Sequence, residues 1–101
     1  GFDWPDTAGV IEKFQEELAE LAAELASGDP KRLEHELGDL LFTTVNMARK
    51  LGVEPELALE HANQRFIARF RHMEKSADAN GRKLEDLSLP VLEELWQEAK
   101  K

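Results

Sequence analysis

Cysteine is absent from the sequence, and proline and glycine are scarce, with four and six residues among 101. A chain without cysteine has no disulfide, no thiolate zinc site and no cysteine nucleophile. Long apolar runs are also missing, because the longest stretch free of charge covers the nine positions 40–48. A membrane-spanning helix needs about 20 apolar residues. We therefore expect a soluble domain, located in the cytoplasm.

Basic residues are in the minority, since 13 Lys+Arg stand against 21 Asp+Glu and give a formal net charge of −8. Such a surface repels a phosphodiester backbone and an anionic membrane. We therefore expect neither nucleic acid nor a membrane among the partners. The length predicts a single domain over residues 1–101, with any small-molecule site in a surface cleft or at a subunit junction. Because the chain starts at Gly1, we consider it a candidate fragment of a longer protein.

Helix-breaking residues divide the chain into four segments, and none of these has the alternating β-branched pattern of a strand. At the first break, Gly28 suits the left-handed position after a helix, Asp29 can cap the next helix, and Pro30 fits its first turn. The sequence predicts an all-α protein. Its helices should cover about residues 7–27, 30–51 and 55–79, with a short last helix from residue 88.

Each of these segments carries apolar residues at intervals of three and four, which is the pattern of one apolar stripe along a helix. The stripes include Leu18 in the first segment, Leu41 and Val45 in the second, and Phe66 and Phe70 in the third. Short joints between the segments favour antiparallel neighbours. We predict an antiparallel helical bundle of three long helices plus a short C-terminal helix. A bundle of three long helices and a short one is too small to bury the apolar stripes of all three long helices. We therefore expect a homodimer that completes a larger bundle.

Four carboxylates lie on the apolar stripes of the first two predicted helices. Glu17 and Glu36 each fall between apolar residues three positions before and four positions after, and Glu20 and Asp39 follow one turn later. Four such groups would repel one another, so a hard divalent cation is the natural ligand, Mg²⁺ first and Mn²⁺ as a substitute. Glu16 can orient or deprotonate a water. Spacing alone leaves open that all five are ordinary solvated carboxylates.

Basic residues on the third predicted helix provide the opposite charge. Arg65, Arg69 and His72 follow one another at i, i+4 and i+7, and arginine offers a planar fork for phosphate oxygens. Lys13 lies one turn before Glu17, where it can pair with that carboxylate or reach a phosphate. We favour the ion pair and keep Lys13 as a candidate substrate-binding residue. Ion pairing and solvation remain alternatives for the arginines as well.

Several segments in order resemble a known family. The sequence EELAE at 16–20 and, fifteen residues later, ELGD at 36–39 are similar to the EExxE…ExxD signature of MazG-type nucleoside triphosphate pyrophosphohydrolases, which belong to the all-α NTP pyrophosphatase superfamily. The resemblance covers nearly the whole chain. It includes GFDWPD, GDLLFTTVNMARKLGVEPELAL, HANQRFIARFRHME and LEELWQEAK.

The resemblance implies Mg²⁺-dependent cleavage of a nucleoside triphosphate to a monophosphate and pyrophosphate. Position 65, arginine in this chain, is often lysine in the family, and position 35, occupied here by His35, is often glutamate. Bacterial members of the family carry two such domains, and this chain resembles the C-terminal one. The catalytic residues implied are Glu16, which positions the water, and Glu17. The other roles implied are metal ligation by Glu17, Glu20, Glu36 and Asp39, phosphate contacts from Arg65 and Arg69, and base stacking by Trp96.

Two other functions stay open at this point. One is a catalytically silent helical dimerisation or regulatory module, whose carboxylates form only structural ion pairs. The other is a dUTP or phosphoribosyl-ATP pyrophosphatase of the same superfamily. The resemblance of GFDWPD and of the ANQRF…RF helix favours the MazG type over either substrate alternative.

Overall fold

The computed structural model describes residues 5–101. Four α-helices follow one another along the chain, and residues 5–101 contain no strand. The helices are α1 (Thr7–Glu24), α2 (Pro30–Lys50), α3 (Pro55–Ala79) and α4 (Leu89–Ala99), with a single 3₁₀ turn at Leu84–Asp86 before α4. The all-α prediction is therefore confirmed.

Local chemistry explains where the helices begin and end. The Asp29 side chain accepts a hydrogen bond from the Lys31 amide at 3.0 Å, and Pro30 occupies the first turn of α2. Gly28 has a φ of 65°, which L side chains rarely adopt. Helix α1 ends at Glu24, three residues before the predicted end, because the Ser27 amide and hydroxyl both donate to the Glu24 carbonyl and tighten the chain into turns.

The chain divides into two compact units, one ending at Glu56 and the other running from Leu57 to Lys101. In the first unit, α1 packs along α2 as an antiparallel hairpin joined by residues 25–29. Val10 is fully buried there. In the second unit, Met73 and Ala77 on α3 form the buried apolar centre.

Many stripe residues that the sequence predicts as apolar contacts are exposed. Leu41 and Val45 on α2 each expose half or more of their surface, and Leu18 on α1 is also exposed. Phe42, which lies outside the predicted stripe of α2, is exposed as well. Within residues 5–101, no helix is both long and apolar enough to cross a bilayer. The homodimer and the packing of three helices into one bundle stay predictions.

Candidate metal and nucleotide site

Three of the predicted metal ligands come together in the first unit. Glu17 and Glu20 project from α1 and Glu36 from α2, and one carboxylate oxygen from each lies within 4.8 Å of the others. Glu17 is 5% exposed, Glu36 is half-buried and Glu20 is exposed. The hairpin therefore provides an oxygen-lined cluster that is buried at one side and open at the other.

Two oxygens of this cluster lack a partner within the described part of the chain. Oε2 of Glu17 and Oε2 of Glu36 are both buried, and neither accepts a hydrogen bond from residues 5–101. Leaving a buried acceptor unsatisfied costs roughly 1–3 kcal/mol, and more when the group is charged. Hard cations such as Mg²⁺ prefer oxygen ligands of this kind. The donor set therefore fits a divalent cation.

The charges of the cluster act on one another. The pKa of the Glu20 carboxyl is raised above its ordinary value of 4.5, first by the negative charge of Glu17, then by desolvation, and then by Glu36. Each of these causes disfavours the ionised form. A cation bound among the three carboxylates would reverse this effect, because it favours the ionised form of its ligands.

Lys13 is the basic residue nearest to Glu17 along α1, one turn earlier. Its Nζ lies 2.9 Å from Oε1 of Glu17 and 3.5 Å from Oε1 of Glu16. The hydrogen bond to Glu17 is the largest of several causes that raise the pKa of Lys13 above 10.5. The ion pair favoured from the sequence is therefore present, and Glu16 is drawn toward the same ammonium.

Asp39 lies one turn beyond Glu36 on α2, and its carboxylate makes a different contact. Its Oδ2 is 3.3 Å from Nε2 of His35, while its backbone carbonyl accepts a hydrogen bond from the buried Thr43 hydroxyl at 2.9 Å. The contact of Asp39 with His35 was not predicted from the sequence, although the two residues are four positions apart on one helix. Asp39 stays a predicted metal ligand.

Three of the predicted nucleotide-binding residues, Arg65, Arg69 and Trp96, lie in the second unit, whereas Lys13 lies in the first. The Arg69 guanidinium lies 5.4 Å from the centre of the Trp96 ring, which places these two predicted residues in contact. Phe66 also contacts Trp96, with ring centres 5.8 Å apart, and stacks on Phe70 at 6.0 Å. Arg65 is exposed and has no ion pair with the described residues. Sequence reasoning missed the role of Phe66 beside Trp96, because that contact joins residues far apart in the chain.

Comparison with known proteins decides the family. The MazG nucleotide pyrophosphohydrolase domain matches residues 7–77 of the chain, a range that contains the carboxylate cluster and both arginines. This chain belongs to the MazG family. The resemblance found in the sequence is therefore confirmed.

Two curated relatives match nearly the whole chain or all of it. One is the nucleoside triphosphate pyrophosphohydrolase/pyrophosphatase MazG of Thermotoga maritima, 48% identical over 99% of this chain and 38% of the relative. Another is the nucleoside triphosphate pyrophosphohydrolase of Escherichia coli K12, 43% identical over 100% of this chain and 39% of the relative. YabN of Bacillus subtilis is 46% identical over 67% of this chain and 14% of its own length. The chain thus spans about two fifths of the first two relatives.

Proposed function

We propose that this chain is the catalytic domain of a nucleoside triphosphate pyrophosphohydrolase, which cleaves a nucleoside or deoxynucleoside triphosphate to the monophosphate and pyrophosphate. The observation that carries the proposal is the cluster of Glu17, Glu20 and Glu36, with two buried oxygens left without a protein partner, in a chain of the MazG family. An interaction module has no need of three carboxylates that converge on one point with only Lys13 paired to them, whereas a cation-dependent hydrolase does.

In this proposal Glu17, Glu20, Glu36 and Asp39 hold the divalent cation, Mg²⁺ in the first place and Mn²⁺ as a substitute. The buried oxygens of Glu17 and Glu36 support the assignment, because a cation would satisfy both. Bound there, the cation supplies charge neutralisation for the polyphosphate and lowers the pKa of water. Asp39 would have to turn from His35, an exposed contact that costs little to break.

The nucleotide is held in this proposal by basic and aromatic side chains. Arg65 and Arg69 grip phosphate oxygens through their forked guanidinium groups, Trp96 stacks on the base, and Lys13 reaches a phosphate. Support comes from the 5.4 Å contact between Arg69 and Trp96. A side chain held against an indole ring loses less conformational freedom when it binds the ligand.

The reaction that we propose is attack of a water oxygen on the α-phosphorus. A new bond forms between that oxygen and phosphorus, and the bond from the α-phosphorus to the bridging oxygen breaks, so that the electron pair leaves with pyrophosphate. Glu16, 60% exposed at its side chain, accepts the proton of the water, while Glu17 stays in the ligand set. The arginines stabilise the charge that develops on the leaving pyrophosphate.

We further propose that residues 1–101 act as one functional domain, since the family match over 7–77 crosses the boundary between the two compact units at residues 56–57. The active form in this proposal is a homodimer that covers the exposed apolar side chains of the hairpin, including Leu41, Phe42 and Val45. A nucleoside triphosphate substrate fits a cytoplasmic enzyme, and we propose that location.

The test is a kinetic panel of common NTPs and dNTPs, with dUTP and phosphoribosyl-ATP included and with pyrophosphate and phosphate assayed separately. We expect Mg²⁺-dependent release of pyrophosphate that is lost on chelation. The matched control is Glu34→Ala, which removes an exposed carboxylate from the same helix as Glu36. Absence of turnover on every substrate would favour the silent helical module instead, and a strict preference for dUTP or phosphoribosyl-ATP would move the substrate assignment.

A further inference from the structure

The ammonium group of Lys13 forms an ion pair with Glu17, the most deeply buried carboxylate of the cluster. Its Nζ is 2.9 Å from Oε1 of Glu17, whose side chain is 7% exposed, while Lys13 itself is 35% exposed. Oε2 of Glu17 has no partner among residues 5–101. Oε1 of Glu17 is thus paired with the ammonium group, whereas Oε2 is available to a cation.

A divalent cation held by Glu17 would compete with that ammonium. Both are positive, both are attracted to the same carboxylate, and at a few ångströms they repel each other more strongly in a partly buried site than in water. The single negative charge of Glu17 cannot neutralise both the ammonium group and the divalent cation. The lysine side chain has a flexible four-carbon stem and is only partly buried, so it can leave Glu17 without disturbing α1.

We propose that Lys13 is an exchangeable counter-ion of the cluster: its ammonium and the divalent cation compete for Glu17, and binding of the cation releases Lys13. This inference rests on the metal site proposed above. It also reconciles the two roles that the sequence left open for Lys13, because the released ammonium becomes available to a phosphate of the substrate.

The competition predicts the direction in which a substitution of Lys13 should change the affinity for a divalent cation. Removing the ammonium removes a competitor for Glu17, so Lys13→Gln should bind Mn²⁺ more tightly than the wild type, with a dissociation constant about three- to tenfold lower. A residue that only oriented Glu17 would give the opposite result, since its loss would leave the ligand less well placed. Lys13→Arg keeps a positive charge at this position and should stay within about twofold of the wild type.

The experiment is calorimetric titration of the full chain with Mn²⁺ alone, without nucleotide. The matched control is Lys31→Gln, which makes the same change in net charge at an exposed lysine that has no ion pair among the described residues. We expect no more than about a twofold change there, because the lost charge is solvated and screened. Lys13→Met, which keeps the apolar stem, repeats the comparison should Lys13→Gln fold poorly by circular dichroism.

The outcomes separate this inference from the proposed function. Tighter Mn²⁺ binding by Lys13→Gln and not by Lys31→Gln supports the exchange. Wild-type binding of Mn²⁺ with equal or weaker binding by Lys13→Gln overturns the exchange and leaves the metal site standing. A wild-type protein that binds no Mn²⁺ overturns both.

Discussion

Removal of the Glu36 side chain should separate catalysis from folding. Glu36→Ala takes one ligand from the proposed cation site, and we expect turnover to fall at least about a hundredfold, which corresponds to about 2.7 kcal/mol of lost transition-state stabilisation. The fold should survive. The half-buried side chain contributes about 1–2 kcal/mol of apolar packing, and the substitution also removes a buried, unpartnered Oε2 that costs about 1–3 kcal/mol.

These two contributions to stability have opposite signs, so the free energy of unfolding should change by between about −1 and about +2 kcal/mol, where each 1 kcal/mol shifts Tm by about 4–8 °C for a domain of this size. The assay measures pyrophosphate release at saturating Mg²⁺ beside a thermal melt followed by circular dichroism. Glu34→Ala should retain both activity and Tm. Activity near that of the wild type in Glu36→Ala would refute the reasoning, whatever the melt shows.

Three further predictions test the charge, the nucleotide contacts and the assembly. In EDTA, the raised pKa of Glu20 means that the folded state binds the proton of this carboxyl more tightly than the unfolded state does. The stability contributed by Glu20 should therefore fall as pH rises from about 4 through that pKa. Thermal melts across this pH range should show the fall, and Glu20→Gln should flatten the profile. Arg69→Ala should weaken binding of both nucleotide and inorganic tripolyphosphate about ten- to a hundredfold, whereas Trp96→Leu should weaken nucleotide binding more than tripolyphosphate binding; equal losses for Trp96→Leu would remove the stacking role. Light scattering should report a dimer of the 11.5 kDa chain that Phe42→Glu dissociates, and a fully active wild-type monomer would contradict the homodimer.

The helices were predictable because their ends depend on neighbouring residues. Asp29, Pro30 and the left-handed Gly28 act within a few positions of each other, so the start of α2 could be located from the sequence. The 3₁₀ turn at Leu84–Asp86 was missed, since three residues carry no periodic pattern of their own.

The contacts between helices were only partly predictable. The apolar stripes place Glu17, Glu20 and Glu36 on facing sides of the hairpin, but the alignment of α1 with α2 along their axes decides which oxygens meet. Periodicity predicts the face of a helix and not this alignment. The expected quartet therefore comes together as a trio, while Asp39 contacts His35 from the same helix.

The aromatic contacts between the helices of the second unit were even harder to predict from periodicity. Phe66 and Phe70 were predicted as neighbours on one stripe, and the structure stacks them. The contacts of Trp96 with Phe66 and Arg69 depend on the path of the chain between α3 and α4. The left-handed Gly81 marks where α3 ends but does not fix that path.

The position of bond cleavage tests the central proposal most directly. The wild-type chain is incubated with Mg²⁺ and its fastest nucleoside triphosphate in ¹⁸O-labelled water, and the products are analysed by mass spectrometry and ³¹P NMR. Attack at the α-phosphorus predicts one ¹⁸O in the nucleoside monophosphate and none in pyrophosphate. Label in pyrophosphate, or formation of nucleoside diphosphate and inorganic phosphate, would contradict the pyrophosphohydrolase mechanism proposed for this chain.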